Sequence, residues 1–188
     1  MIFKTRWGWM GLAASDKGIS TIVLPKSSRH AVERALAEYR GSTFEIRSSW
    51  NGGGPGRRRE KNSQPRTSNL ERALRDARRQ VERYLAGKSR SLDFPLDLSG
   101  GSPFQRRVWR TALRIPYGRA RSYGWIASKL GGKQHARAVG GALGANPVPL
   151  IVPCHRVLAH DASLGGFSGG LSVKRKLLQL EGTLKHLK

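Results

Sequence analysis

The sequence predicts an α/β amino-terminal domain followed by a mostly α carboxy-terminal domain that carries a helix-turn-helix. Three observations support this: a strand-like run at Ile19 to Leu24 beside a helical stretch around Ala31 to Tyr39, a strongly periodic helix ending near Leu85, and a series of short capped helices after residue 102. A chain of 188 residues can bury a real core, as one large domain or two small ones. The expected boundaries are 1–88 for the first domain, 89–102 for a linker rich in Pro, Ser and Gly, and 103–188 for the second domain.

Within the first domain, Gly52-Gly53-Gly54-Pro55-Gly56 followed by Arg57-Arg58-Arg59 cannot contribute to a core and predicts a loop at 51–68. The next helix is expected to start at a capping box, Ser68-Asn69-Leu70-Glu71. Leu70, Ala73, Leu74, Ala77, Val81 and Leu85 then fall on one face, and Gly87 is a suitable stop. The other face carries Arg72, Arg75, Arg78, Arg79 and Arg83, which reads as a solvated surface in preference to a specific nucleic-acid contact.

In the second domain, Ser102-Pro103-Phe104-Gln105 combines a cap, a first-turn proline and a glutamine at the third position, opening a helix with Phe104, Val108 and Ala112 inward and Pro116 as its end. Ser122 can cap a second helix through Tyr123, Ile126, Ala127 and Leu130, stopped by Gly131-Gly132. A third runs from about Gln134 to Asn146, where Pro147 prevents continuation. The last two form the helix-turn-helix candidate. Gly140 and Gly141 inside the third helix cost about 1 kcal/mol each relative to alanine, so they call for close backbone approach, either to another helix or to a DNA backbone. A helix with so few long side chains can hardly read base sequence.

Composition narrows the partners. Thirty-five Lys and Arg against 12 Asp and Glu give a formal charge of +23, which attracts polyanions. Nucleic acid is favoured over a membrane surface, because no long basic amphipathic helix with a Trp/Phe/Leu face is present. No apolar run approaches the roughly 20 residues needed to span a bilayer, and Lys4, Arg6, Trp7 and Trp9 stand where a secretory leader needs an apolar block. A soluble, intracellular protein is therefore expected, and a cytoplasmic location and a monomeric state are expected with it.

The single cysteine, Cys154, cannot form an internal disulfide or a multi-cysteine zinc cage. Pro149 to Pro153 encloses Leu150-Ile151-Val152, expected as a short strand or extended segment that delivers the thiol. Taken alone, Cys154 reads as an inert core residue. As a nucleophile it would need a base, and His155 is adjacent, reaching it directly or through water. Asp161 and Glu181 are the only acids after Asp97; Glu181, at the end of a helix over 172–180 and before Gly182, is the better third member.

These residues belong to a longer pattern. Pro103-Phe104-Gln105, Val108-Trp109, Ile115-Pro116-Tyr117-Gly118, Ser122-Tyr123, Ala136-Arg137-Ala138-Val139-Gly140, Asn146-Pro147, Pro153-Cys154-His155-Arg156-Val157, Gly169-Gly170, Lys174 and Leu180-Glu181-Gly182 closely resemble the O6-alkylguanine-DNA alkyltransferases, the methylated-DNA-protein-cysteine methyltransferases, in order and spacing. The resemblance implies a ribonuclease-H-like fold for the first domain, although residues 1–88 match only loosely, and a winged-helix-like second domain. It implies a suicide reaction without cofactor or metal, in which Cys154 takes the alkyl group from guanine O6, and possible action on O4-alkylthymine. His155 would act as base through a water, Glu181 would orient it, and Asn146 would brace the site. Tyr123 would donate to guanine N3, and the carbonyls of Cys154 and Val157 would accept from the guanine amino group. Gly165, Phe167 and Ser168 would wrap the flipped base, with Phe167 standing where many members carry tyrosine. Arg137 would fill the gap in double-stranded DNA, among contacts from Ala136, Ser122, Gly140, Gly141 and Arg119. The alternatives are a non-catalytic binder of alkylated DNA, a helix-turn-helix regulatory protein and a cysteine hydrolase.

Overall fold

The computed structural model describes residues 1–43 and 66–186. Most of the loop expected at 51–68 lies outside the described residues. Its last three positions belong to a helix, which overturns the expected capping box: the helix is already formed at Arg66, so Ser68 lies inside it and is not its cap.

Strands β1 (Ile2–Thr5), β2 (Gly8–Ser15) and β3 (Gly18–Lys26) form an antiparallel sheet in the order β1-β2-β3. Two tight turns set its register. In the first, Thr5 Oγ1 donates to the Gly8 carbonyl and accepts from Trp7 N–H. The second pairs Ser15 with Gly18 across two residues, and Gly18 sits at φ +139°, a conformation closed to other residues.

Helices α1 (Arg29–Thr43) and α2 (Arg66–Leu85) pack on this sheet. A Cβ at Gly11 would lie 2.7 Å from Val32 Cγ1, so the absence of a side chain lets α1 sit directly on β2. Ala77, Val81, Tyr84 and Leu85 of α2 join Phe3, Met10, Leu12 and Ile22 in the main core. The end of α2 falls as expected, with Gly87 at φ +74° and Lys88 N–H reaching back to the Arg83 carbonyl.

The segment 89–102 is strapped to the sheet. Ile19 N–H donates to the Pro95 carbonyl and the Ile19 carbonyl accepts from Asp97 N–H, while Gln80 of α2 holds both the carbonyl and the N–H of Asp93. Ser15 Oγ donates to Asp97 Oδ2 at 2.6 Å.

Helix α3 (Pro103–Ala112) begins with the expected reciprocal cap between Ser102 and Gln105. It ends at Ala112, before Pro116 is reached. Trp109 is buried, and its Nε1 donates to the Ala142 carbonyl at 2.8 Å, fixing α3 against α5 (Ala136–Gly144). Ser122 caps α4 (Tyr123–Ser128) by accepting from Trp125 N–H. A single 3-10 turn over Lys133–His135 follows Gly131 and Gly132 and leads into α5. The carboxy-terminal half is not wholly helical: β4 (Arg121–Ser122) and β5 (Val157–Leu158) form a two-residue parallel ladder. Helix α6 (Leu171–Leu180) closes the fold.

One core runs through both halves, from Phe3 and Met10 to Val139, Val152 and Leu177. The halves also share a backbone hydrogen bond, from Ile22 N–H in β3 to the Pro147 carbonyl at 2.8 Å. The central sheet thereby holds the loop that leads to Cys154.

Gly18→Ala combines a forbidden φ with a Cβ placed 2.3 Å from the Pro95 carbonyl oxygen. Denaturant unfolding should show a loss of about 2–4 kcal/mol, with local release of residues 89–102 to hydrogen exchange.

Candidate active site

The approach to Cys154 is a turn and not the strand or extended segment expected from its apolar residues. Leu150 has φ +79°, and the turn is closed by a bridge between Pro149 and Val152. Such a φ is costly for a leucine, and the fully buried surroundings hold it there. Asn146 ties the turn together: its Oδ1 accepts from Val148 N–H, and its Nδ2 donates to the Val152 carbonyl at 3.0 Å and to Cys154 Sγ at 3.2 Å. Cys154 then opens a 3-10 turn over Cys154–Arg156 and is 5% exposed.

Burial pushes the Cys154 thiol above its ordinary value, opposed by the Asn146 hydrogen bond and the charge of Lys174. Burial also pushes the His155 imidazole below its ordinary value, against the hydrogen bond and charge of Glu181. The resting pair is a neutral thiol and a neutral ring.

His155 Nε2 lies 2.6 Å from Glu181 Oε1. An ionised carboxylate only accepts, so Nε2 carries the ring hydrogen and Nδ1 keeps its lone pair. Nδ1 is buried and has no hydrogen-bond partner among the described residues. Its lone pair is unengaged.

Glu181 is far from an exposed helix-end acid. It caps α6, with Gly182 beyond it at φ +75°, and is 6% exposed. Arg156 Nε donates to its Oε2 at 2.9 Å and Nη2 to its Oε1 at 3.1 Å. Gly118 N–H donates to Oε2 at 3.0 Å, and the buried Tyr84 hydroxyl donates to Oε1. Burial alone would raise the Glu181 pKa, but the hydrogen bonds and charges of His155 and Arg156 outweigh it and bring it down to about 2.

Three further residues, given no role by the sequence reasoning, are thus part of the site. Arg156 is held by Glu181 and the Ile115 carbonyl, and its guanidinium lies 5.8 Å from the Tyr117 ring centre. Tyr84 reaches the site from α2, and nothing local in its Arg-rich surroundings marks it. Lys174 is fully buried, and its Nζ donates to the carbonyls of Val157 and Leu164. Burial brings its pKa down to about 8, with Cys154 opposing. A buried lysine inside an otherwise apolar helical face was the available signal.

The expected substrate loop stands opposite Tyr123. A Cβ at Gly165, where φ is +61°, would lie 3.1 Å from the Tyr123 ring, and Tyr123 Oη donates to the Gly166 carbonyl at 3.4 Å. Phe167 is half-buried with Lys174 Nζ 6.0 Å from its ring centre, and Ser168 is exposed. The Val157 carbonyl, expected to face a base, already accepts from Lys174 at 2.6 Å and has one lone pair left.

Helices α4 and α5 form the expected pair. Arg137 and Gly141 are exposed on α5, Ala136 and Gly140 half-buried, Ser122 engaged as a cap and Arg119 exposed in the turn before β4. Of the two reasons considered for the glycines, internal packing is ruled out at Gly141: a Cβ there would meet nothing within 4 Å. At Gly140 it would make only an ordinary contact with the Tyr123 ring, at 3.8 Å.

A buried thiol followed in the chain by a His155–Glu181 pair thus lies in a half that also packs two short helices in the helix-turn-helix manner. Residues 103–183 match the family model described as 6-O-methylguanine DNA methyltransferase, DNA binding domain. The methylated-DNA–protein-cysteine methyltransferase of Mycolicibacterium paratuberculosis is 51% identical over 110 residues, 58% of this chain and 66% of the relative. That of Methanosarcina acetivorans is 45% identical over 113 residues, 60% of this chain and 72% of the relative. The structure of Mycobacterium tuberculosis OGT in complex with DNA superposes with a TM-score of 0.67 at 34% identity, covering 96% of this chain and 90% of that one. The chain belongs to the methylated-DNA–protein-cysteine methyltransferase family. It spans 61–66% of the length of the mycobacterial relatives it matches.

The Glu181 pKa yields a prediction about acid stability. A carboxylate whose folded pKa lies below its unfolded value contributes stability that is complete above the unfolded pKa and is lost as pH falls through the folded one. The drop from an ordinary 4.5 to about 2 corresponds to about 3 kcal/mol, lost between about pH 5 and pH 2. Unfolding free energy against pH should show this limb in the wild type and lack it in Glu181→Gln.

Proposed function

We propose that the protein repairs DNA by transferring the alkyl group of O6-alkylguanine irreversibly to Cys154, one equivalent per chain. The observation that carries this reading is the buried thiol held by Asn146 beside a His155 whose free Nδ1 is fixed by Glu181. The family membership supplies the substrate.

The chemistry follows from these groups. The alkyl carbon on O6 cannot be reached inside a stacked duplex, so the nucleotide is flipped out and Arg137 fills the gap. Nδ1 of His155 takes the thiol proton through a water, and the Asn146 amide stabilises the thiolate. Sγ attacks the alkyl carbon, a C–S bond forms, the C–O6 bond breaks, and its electron pair stays with guanine. The Tyr123 hydroxyl donates to N3 as that charge develops, and the ring is neutralised by the proton released at the start. Atoms and electrons balance without a cofactor. Regeneration would require breaking a thioether, so the protein is spent.

Substrate positioning is assigned to Gly165, Phe167 and Ser168 and to the carbonyls of Cys154 and Val157. Duplex contacts are assigned to Arg137 with Ala136, Ser122, Gly140, Gly141 and Arg119. The first domain, 1–88, is read as ribonuclease-H-like, 89–102 as the linker, and 103–188 as a winged-helix-like unit; the protein acts as a cytoplasmic monomer. Action on O4-alkylthymine is included in the reading. Among the described residues no helix is long and apolar enough to cross a membrane. A non-catalytic binder of alkylated DNA has no use for a thiol followed by a carboxylate-held histidine, and a sequence-reading regulator would need longer side chains on α5.

Incubation with duplex DNA containing O6-methylguanine should add one methyl group to the Cys154 peptide, reaching one equivalent even with excess lesion. Cys154→Ser should accept none, and repeated turnover would identify a hydrolase instead. Binding should weaken with salt along a slope of about −0.9 per phosphate neutralised, and Arg137→Ala should lower transfer from duplex far more than from free O6-alkylguanine base.

A further inference from the structure

Two helices of the protein carry exposed arginines that differ in their partners. On α2, Arg75 pairs with Glu71 at 3.4 Å, Arg78 with Glu82 at 2.8 Å and Arg79 with Asp76 at 2.9 Å. Each is an i,i+4 or i,i+3 pair within the helix, so three of the five arginines on that face have a carboxylate partner.

On α3 the pattern is different. Val108, Trp109 and Ala112 are buried toward α5, while Arg107 and Arg110 lie exposed on the opposite side. Arg114 follows in the turn that closes the helix and is also exposed. Residues three and seven positions apart share a helix face, so the row is about 10 Å long. None of the three has an ion pair or a side-chain hydrogen bond among the described residues, in contrast to Arg106, which is bound to the carbonyls of Ser99 and Gly101. No acid stands near in sequence: after residue 102 there are only Asp161, which is exposed and turned to Ser163 N–H, and Glu181, which is buried and fully engaged.

Three unneutralised guanidiniums, two on α3 and one in the turn that closes it, match a phosphate backbone, which presents about six charges over 10 Å of duplex. The single exposed leucine beside them, Leu113, offers too little apolar area for a bilayer surface. We propose that Arg107, Arg110 and Arg114 form a second DNA-binding surface, on the side of α3 turned away from α5, that grips a duplex segment other than the one presented to α5. The proposal depends on the repair reading only for the identity of the polyanion. The protein would hold two stretches of DNA at once and could pass between them without release.

The test uses an immobilised duplex with one O6-methylguanine and a labelled, undamaged second duplex in solution, with methylation of Cys154 read from the same sample. The wild type should retain the second duplex, with capture falling along a salt slope of about −3 from three phosphate contacts. The triple variant Arg107→Gln, Arg110→Gln, Arg114→Gln should lose capture at least tenfold while accepting methyl at wild-type yield, and the triple lysine variant should recover most of the capture. Equal capture by the glutamine variant overturns the proposal, as does no capture by the wild type. Loss of methyl transfer in the glutamine variant also overturns it, because the row would then belong to the lesion-facing surface. Loss of binding only to phosphatidylserine vesicles would assign the row to a membrane instead. Absence of methylation in the wild type would defeat the repair reading, and the capture arms would still decide the surface.

Discussion

The Glu181 carboxylate is the interaction on which the rest of the site depends. Its two oxygens accept from His155, Arg156, Gly118 and Tyr84, which come respectively from the turn of the cysteine, the same turn, the loop after α3, and α2. A buried anion is tolerated only when it is paired and fully hydrogen-bonded. That requirement draws three separate segments to the end of α6. It also sets the chemistry, since the negative charge decides which nitrogen of His155 holds the proton.

The same burial keeps the site quiet at rest. Desolvation disfavours both the thiolate of Cys154 and the imidazolium of His155, so burial holds both groups toward their neutral forms. Lys174 supplies positive potential without becoming an acid catalyst, because its ammonium is committed to loop carbonyls. The cost of burying it is met by fixing the loop from Val157 to Gly166, against which Tyr123 rests.

What could be read from the sequence was what is local. The caps at Ser102 and Ser122 depend on residues two or three positions away, and both formed as expected. The pairing of His155 with Glu181 was legible because only two acids follow Asp97, whereas the contact of Asn146 with Cys154 was expected from the family resemblance alone. Ser68 misled because a capping box is also a fair helix interior, and only the chain before it decides where the helix starts. The Leu150 turn was hidden by its apolar composition, since a left-handed leucine is imposed by packing and has no local signal. Tyr84 lies 97 residues from Glu181, and no periodicity connects them. The two-residue ladder of β4 and β5 is too short to leave a pattern.

The smooth face of α5 has a consequence for how a rare target is found. Gly141 and Gly144 present nothing within 4 Å of where a side chain would begin, and Arg137 is the helix's one long cation. On the reading proposed above, such a helix resting in a groove would have no teeth to engage one base pair more firmly than the next. The energy along the duplex would be nearly level, so displacement by one step would meet little friction. The search would then be limited by diffusion along the DNA, and the pause needed for repair would come from the ease with which a weakened base pair opens.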